Sequence, residues 1–284
     1  MKKILALIDG SKYSQSVCDH AAWMATRCQA TLELLHVLGR REGAADTADL
    51  SGSIGLGART ALLEELAELD GQKARLINKR GRAILEDGAQ RAADAGVQSI
   101  STTLRHGQLI RTLQEFENNA DMICIGKRGE ASNFDMEHLG SNLERVVRAS
   151  HKPVLVASRG FQPVKRVLIA FDGGTSSIKA VERVAACKVF TGLECLVLTV
   201  VGDGRSPSKR LEGAVALLND AGFKVESDVR RGQPETVIAD AVEQEHFDLL
   251  VMGAYGHSRI RNLIIGSTTT QMVRSCKIPV ILYR

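Results

Sequence analysis

Short apolar runs and amphipathic stretches alternate along the chain. Continuous apolar segments at 3–9, 32–38, 121–126 and 154–157, and again at 166–172, 195–201, 248–253 and 279–283, read as strands. Stretches between them, such as 14–28, 107–119, 175–191 and 233–246, carry helical patterning. Strands separated by helices predict parallel βαβ units. Because the strands are apolar throughout rather than on alternate positions, both faces of each sheet should be covered by helices. In open sheets of this kind, ligands bind at the carboxyl ends of the strands.

The pattern repeats. Lys3-Ile4-Leu5-Ala6-Leu7-Ile8-Asp9-Gly10 matches Arg166-Val167-Leu168-Ile169-Ala170-Phe171-Asp172-Gly173 at an offset of 163, and the register holds through Leu35-His36-Val37 against Leu198-Thr199-Val200. After small length changes, Arg105-His106-Gly107-Gln108 mirrors Arg230-Arg231-Gly232-Gln233. Asp121–Gly126 likewise mirrors Asp248–Gly253, and Pro153–Val156 mirrors Pro279–Leu282. Two copies of one unit are therefore expected, 1–160 and 161–284, joined near Gly160-Phe161-Gln162-Pro163. The first copy carries an insertion at about 40–96. Its segment 42–57 reads as a loop, and 58–95 as one kinked helix or two, with Gly71 and Gly81 as weak points. A buttress on the sheet and a partner-binding arm are the two readings of that helix.

Composition narrows the class. The chain has 284 residues, 44% hydrophobic and 25% charged, and 37 Lys+Arg against 33 Asp+Glu leave a net charge of +4. Acids and bases are interleaved, so no phosphate-backbone stripe for nucleic acid stands out. No run approaches the roughly 18 apolar residues of a spanning helix, and the start is too short for a signal peptide. A cytoplasmic protein that does not engage a membrane is expected. The six cysteines (Cys18, Cys28, Cys124, Cys187, Cys195, Cys276) are dispersed, without C-x-x-C or a histidine at ligand spacing. They read as small buried hydrophobes, and no metal site is predicted.

The candidate chemistry lies after the fourth strand of each copy. In the second copy Gly253-Ala254-Tyr255-Gly256 is followed by nine residues and then Gly266-Ser267-Thr268, opening a helix. Glycines there let backbone N–H groups converge on anionic oxygens, and Ser267 and Thr268 add hydroxyls at the positive end of a helix. Ser267 is better placed as a cap and phosphate ligand than as a nucleophile, since no G-x-S-x-G elbow surrounds it. Asp172 fits a helix cap as well as a ligand contact. Arg259 and Arg261 fit phosphate partners and plain loop charges equally.

Together with the strand-one aspartates, the repeat and the Pro-Val-Leu-type last strand, these residues resemble the universal stress protein family, as a tandem two-domain member. The resemblance implies two open, parallel, five-stranded α/β sheets of the adenine nucleotide α-hydrolase-like kind, related by a pseudo-two-fold. It implies ATP, with Mg2+, held by Gly253, Gly256, Gly266, Ser267 and Thr268, with adenine and ribose near Asp172 and Val200. The corresponding residues of the first copy are Asp9, Val37, Gly126, Gly129, Gly140 and Ser141. There the spacer has ten residues, and it carries Glu130, Asp135 and Glu137 where the second copy offers Arg259 and Arg261. Close carboxylates disfavour phosphates, with Lys127 and Arg128 as partial compensation, so the second copy is the better nucleotide site. Family dimers pair through the last strand. The two copies should therefore meet there as a pseudo-dimer, and further homodimerisation stays open.

The function expected is that of an ATP-binding regulatory or stress-response module. Two alternatives stand beside it: an adenylate-handling enzyme or slow ATPase, and an interaction scaffold without nucleotide. Neither an S-G-G-x-D-S motif nor a P-loop is present, and no residue stands out to orient an attacking water. No catalytic residue is therefore assigned, and hydrolysis should be slow at most.

Overall fold

The computed structural model describes residues 1–39, 56–129, 141–202, 210–254 and 267–284. In chain order the first half runs β1 (Lys3–Leu7), α1 (Lys12–Cys28), β2 (Thr31–Leu38), α2 (Leu56–Asp94), β3 (Ile100–His106), α3 (Leu109–Glu117), β4 (Met122–Gly126), α4 (Ser141–Ala149) and β5 (Val154–Ala157). The second half runs β6 (Arg166–Ala170), α5 (Thr175–Ala185), β7 (Glu194–Val201), α6 (Arg210–Asp220), β8 (Lys224–Arg231), α7 (Pro234–Gln244), β9 (Leu249–Gly253), α8 (Ser267–Ser275) and β10 (Val280–Tyr283).

Each half is a five-stranded parallel sheet, ordered β3-β2-β1-β4-β5 and β8-β7-β6-β9-β10. The two meet at β5 and β10, which pair antiparallel with Leu155 opposite Ile281, so that ten strands form one sheet. Alternate residues of each strand feed the two faces. Ile4, Ala6, Val167 and Ile169 enter one core cluster, whereas Leu5, Leu7 and Leu168 enter the other. That two-sided burial is the reason the central strands lack polar alternation.

Details of the first half recur in the second. Asp121 accepts hydrogen bonds from the Lys2 and Lys3 amides at the start of β1, and Asp248 accepts from Lys165 and Arg166 at the start of β6. Among the described residues no helix is long and apolar enough to cross a membrane.

The helix α2 is continuous through Gly71 and Gly81, one helix and not two. Among its described side chains, those of the C-terminal part form a buttress. Leu85 and Ala92 are buried, and Gly88 lets the helix approach closely: a Cβ there would lie 3.1 Å from Ile8 Cδ1 and Leu34 Cδ1 and 3.2 Å from Cys18 Sγ. From residue 63 to 76 the described side chains are exposed. The loop read at 42–57 lies outside the described residues up to 55. Two elements escape the apolar-run criterion, β3 and β8. They are the outer edges of the sheet and are half exposed, so their sequences mix polar with apolar residues.

Candidate nucleotide site

In each half the chain lays strands to one side of its first strand and then crosses to the other. The order β8-β7-β6-β9-β10 reverses direction between β6 and β9, and β3-β2-β1-β4-β5 between β1 and β4. Such switch points open a crevice at the carboxyl ends of the two strands, because the following connections leave in opposite directions. The sequence-predicted Asp172 follows β6 and Gly253 ends β9, so they flank the crevice of the second half. Asp9 and Gly126 do the same in the first.

The aspartates are held by a local network. Asp172 Oδ1 accepts from the Gly174 amide at 2.8 Å and from Ser177 Oγ at 2.6 Å. Asp9 Oδ1 accepts from the Ser11 amide and from Ser14 Oγ, both at 3.0 Å. Asp172 therefore braces the turn after β6 and is not the cap residue of α5, which is Gly174. Charge-assisted bonds of this kind fix a carboxylate's orientation. Ser14 and Ser177 were not among the predicted site residues, although both fall five positions after the aspartate and match at the offset of 163.

Close approach explains the first glycine of each motif. A Cβ on Gly253 would lie 2.9 Å from Ser176 Cβ and 3.2 Å from the Ser177 amide nitrogen, and one on Gly126 would lie 2.7 Å from Tyr13 Cβ. Only glycine lets the end of the fourth strand sit against the first turn of the helix after the first strand. Asp172, Ser177 and Gly253 thus form one contiguous group. Thr269 joins it from α8: its buried Oγ1 lies 3.3 Å from the Gly253 and Ala254 carbonyls, tying the helix start to the strand end. Thr268 is partly exposed beside it, and Ser267 opens the helix with its side chain outside the described residues. Val200 sits near the carboxyl end of β7, next to β6, and Val37 likewise on β2 next to β1. Gly256 and Gly266 in the second half and Gly140 in the first lie outside the described residues, as do both spacer loops.

The halves differ over the turn after their first strands. In the first, Ile84 of α2 lies on the turn, 2.6 Å from where a Gly10 Cβ would be. In the second, Arg210 at the start of α6 donates to the Gly173 carbonyl at 3.0 Å, so a guanidinium takes the place of a hydrocarbon. The residue before each of Val37 and Val200 differs too. His36 is buried with Nδ1 2.7 Å from the Ile8 carbonyl, whereas the buried Thr199 has no partner for Oγ1 among the described residues. Gly129 abuts Asp9, with a Cβ there lying 2.7 Å from Oδ2. α4 begins at the exposed Ser141 and carries Glu144 in its first turn, where α8 has no acid. Lys127 does not serve the first crevice as the sequence suggests. Its Nζ reaches across to the second half and donates to the Cys276 carbonyl at 2.7 Å, near the end of α8.

A model of the universal stress protein family matches residues 1–158 and 205–284. The chain belongs to the universal stress protein family. A universal stress protein of Synechocystis sp. is 37% identical over 287 aligned residues, with 100% of both chains covered. One from Mycolicibacterium smegmatis is 25% identical over 301, covering 99% of this chain and 96% of its own. Among solved structures, a universal stress protein from Archaeoglobus fulgidus superposes with a TM-score of 0.72 at 21% identity, covering 99% of this chain and 98% of that one.

The two relatives and the solved structure match nearly the whole length of this universal stress protein, whereas the family model leaves out 159–204. At such identity the structural match speaks to the fold. Among the described residues no group of three or more His, Cys, Asp or Glu side chains is arranged to hold a metal ion.

Proposed function

We propose that this universal stress protein is a nucleotide-dependent regulatory module, with two domains at 1–160 and 161–284, and that the second binds ATP with Mg2+. The observation that carries this reading is the switch-point crevice of the second half, where Asp172, Gly253 and the start of α8 adjoin through Ser177 and Thr269. The residues suit the ligand. Gly253, Gly256 and Gly266 would bring backbone N–H groups to the phosphates, with Ser267 and Thr268 at the helix start. Asp172 and the backbone at Val200 would hold the ribose and adenine, and the Thr199 hydroxyl, without a partner among the described residues, offers a further polar contact.

The first domain is the weaker site. Asp9, Val37, Gly126, Gly129, Gly140 and Ser141 are present, but Ile84 covers the turn, Glu144 opposes anions at the helix start, and Lys127 is engaged elsewhere. The pairing of β5 with β10 would make the single chain equivalent to a dimer of one-domain members, with bound nucleotide biasing the arrangement of its halves.

Titration calorimetry with ATP and Mg2+ tests this. One ATP per chain is expected, with binding abolished by Gly266→Asp. No heat and no rise in melting temperature with ATP would overturn the reading, and undiminished stoichiometry in the variant would move the site to the first domain.

A further inference from the structure

The N-terminal part of α2 stands outside the core, and its described apolar side chains face no other described element. Leu63, Leu66, Leu69 and Leu76 are 50%, 40%, 54% and 68% exposed, and these are four of the six large hydrophobic side chains left exposed among the described residues. Leu62, Leu69 and Leu76 recur every seven residues with Leu66 between them, which draws one apolar stripe along the helix. A lone helix of this length projecting into water is marginal, since its stability normally comes from packing an apolar face.

The charges on the same segment state what covers the stripe. From 62 to 70 there are four acids and no base, and from 72 to 82 five bases and no acid. Among the described residues no other element with this division of charge is offered to it, and the described body meets α2 from about Asn78 onward, whose Oδ1 lies 2.8 Å from His106 Nε2. A segment whose first half is anionic and second half cationic is complementary to itself when reversed. We propose that this arm pairs antiparallel with the same arm of a second copy of the chain, about a two-fold axis near Gly71. That register sets Leu66 against Leu76 of the second copy, Leu63 near its Ile77, and Glu65 toward its Lys79. Every contact then occurs twice, as an isologous interface requires. A parallel pairing would instead set acid on acid and base on base.

Light scattering on the full chain at micromolar concentration tests the proposal without reference to nucleotide. A mass twice that of one chain is expected, falling to one chain in a Leu69→Glu, Leu76→Glu double variant whose circular dichroism stays native in shape. A second pair of variants guards against misfolding: Glu64→Lys, Glu65→Lys, Glu68→Lys in one chain, and Lys73→Glu, Arg75→Glu, Lys79→Glu in the other. Each should be monomeric alone, and the two mixed should regain the double mass. A wild-type chain that is monomeric, a leucine variant that stays dimeric, or mixed charge variants that do not associate would overturn it.

Discussion

Lys127 is a cation held away from water on the boundary between the halves. Burial pulls its pKa down from 10.5 to about 8, with Arg128 adding to the effect and Cys276 opposing it. The folded chain thus releases this proton near pH 8, while the unfolded chain keeps it until near 10.5. Across that window the unfolded state binds more protons, so stability rises with pH and the contribution is lost as pH falls back through the folded value. In Lys127→Met the group is gone. The stability of the wild type relative to this variant, from urea unfolding at pH 8, 9 and 10, should therefore climb with pH, and a flat difference would contradict the burial argument. The same residue shows where the sequence misleads. The positions of Asp172 and Gly253 beside the crevice were legible because they are local, set by a strand end and a glycine spacing. Lys127 sits in the right motif, yet its partner is 149 positions away on a helix of the other half, and no short-range pattern encodes that. Ser177 could have been found from the repeat, whereas Arg210 could not, since its position depends on where α6 begins.

Elements were readable wherever burial is symmetric. Eight strands appear as apolar runs because both their faces are covered, and the edge strands β3 and β8 do not because water reaches them. The helix α2 was readable from composition, but its two halves experience opposite surroundings and its glycines mean different things. Gly88 is wedged among Ile8, Leu34 and Cys18, so a methyl there must push packed side chains aside, and an overpacking cost of about 1–3 kcal/mol stands against the roughly 1 kcal/mol that alanine gains in a helix. Gly71 has nothing within 4 Å of a built Cβ and lies in the exposed stretch of the helix, where alanine is better by about 1 kcal/mol. Urea unfolding should place Gly88→Ala below the wild type and Gly71→Ala at or above it. Equal effects would mean that α2 does not divide into a packed end and a projecting arm.

At the scale of the whole molecule, the question is whether two similar halves behave as one body. Leu155 and Ile281 are fully buried and face each other where β5 meets β10, and Val154 and Val156 pair with Leu282 and Val280 beside them. Further contacts bind the same boundary, including Arg27 Nε to the Val189 carbonyl at 2.6 Å and the edge-on packing of Phe161 against His20, centroids 5.0 Å apart. Parting the halves would expose two sheet edges together with the apolar side chains along them, so with the strand pair intact the two halves should unfold together. The chain supplies its own test, because its single tryptophan, Trp23, lies in α1 of the first half. Tryptophan fluorescence follows that half, while far-ultraviolet circular dichroism follows both. In the wild type the two signals should give one coincident denaturant midpoint. Ile281→Asp puts a carboxylate between Leu155 and the core at a cost of several kcal/mol, and it acts first on the half that owns β10. In that variant part of the dichroism should be lost at lower denaturant than the fluorescence, whereas Ile281→Val, which removes one methylene, should keep the midpoints together. If the Ile281→Asp signals remain superimposed at a lower midpoint, the coupling resides in the contacts of Arg27, Lys127 and Phe161 more than in the strand pair.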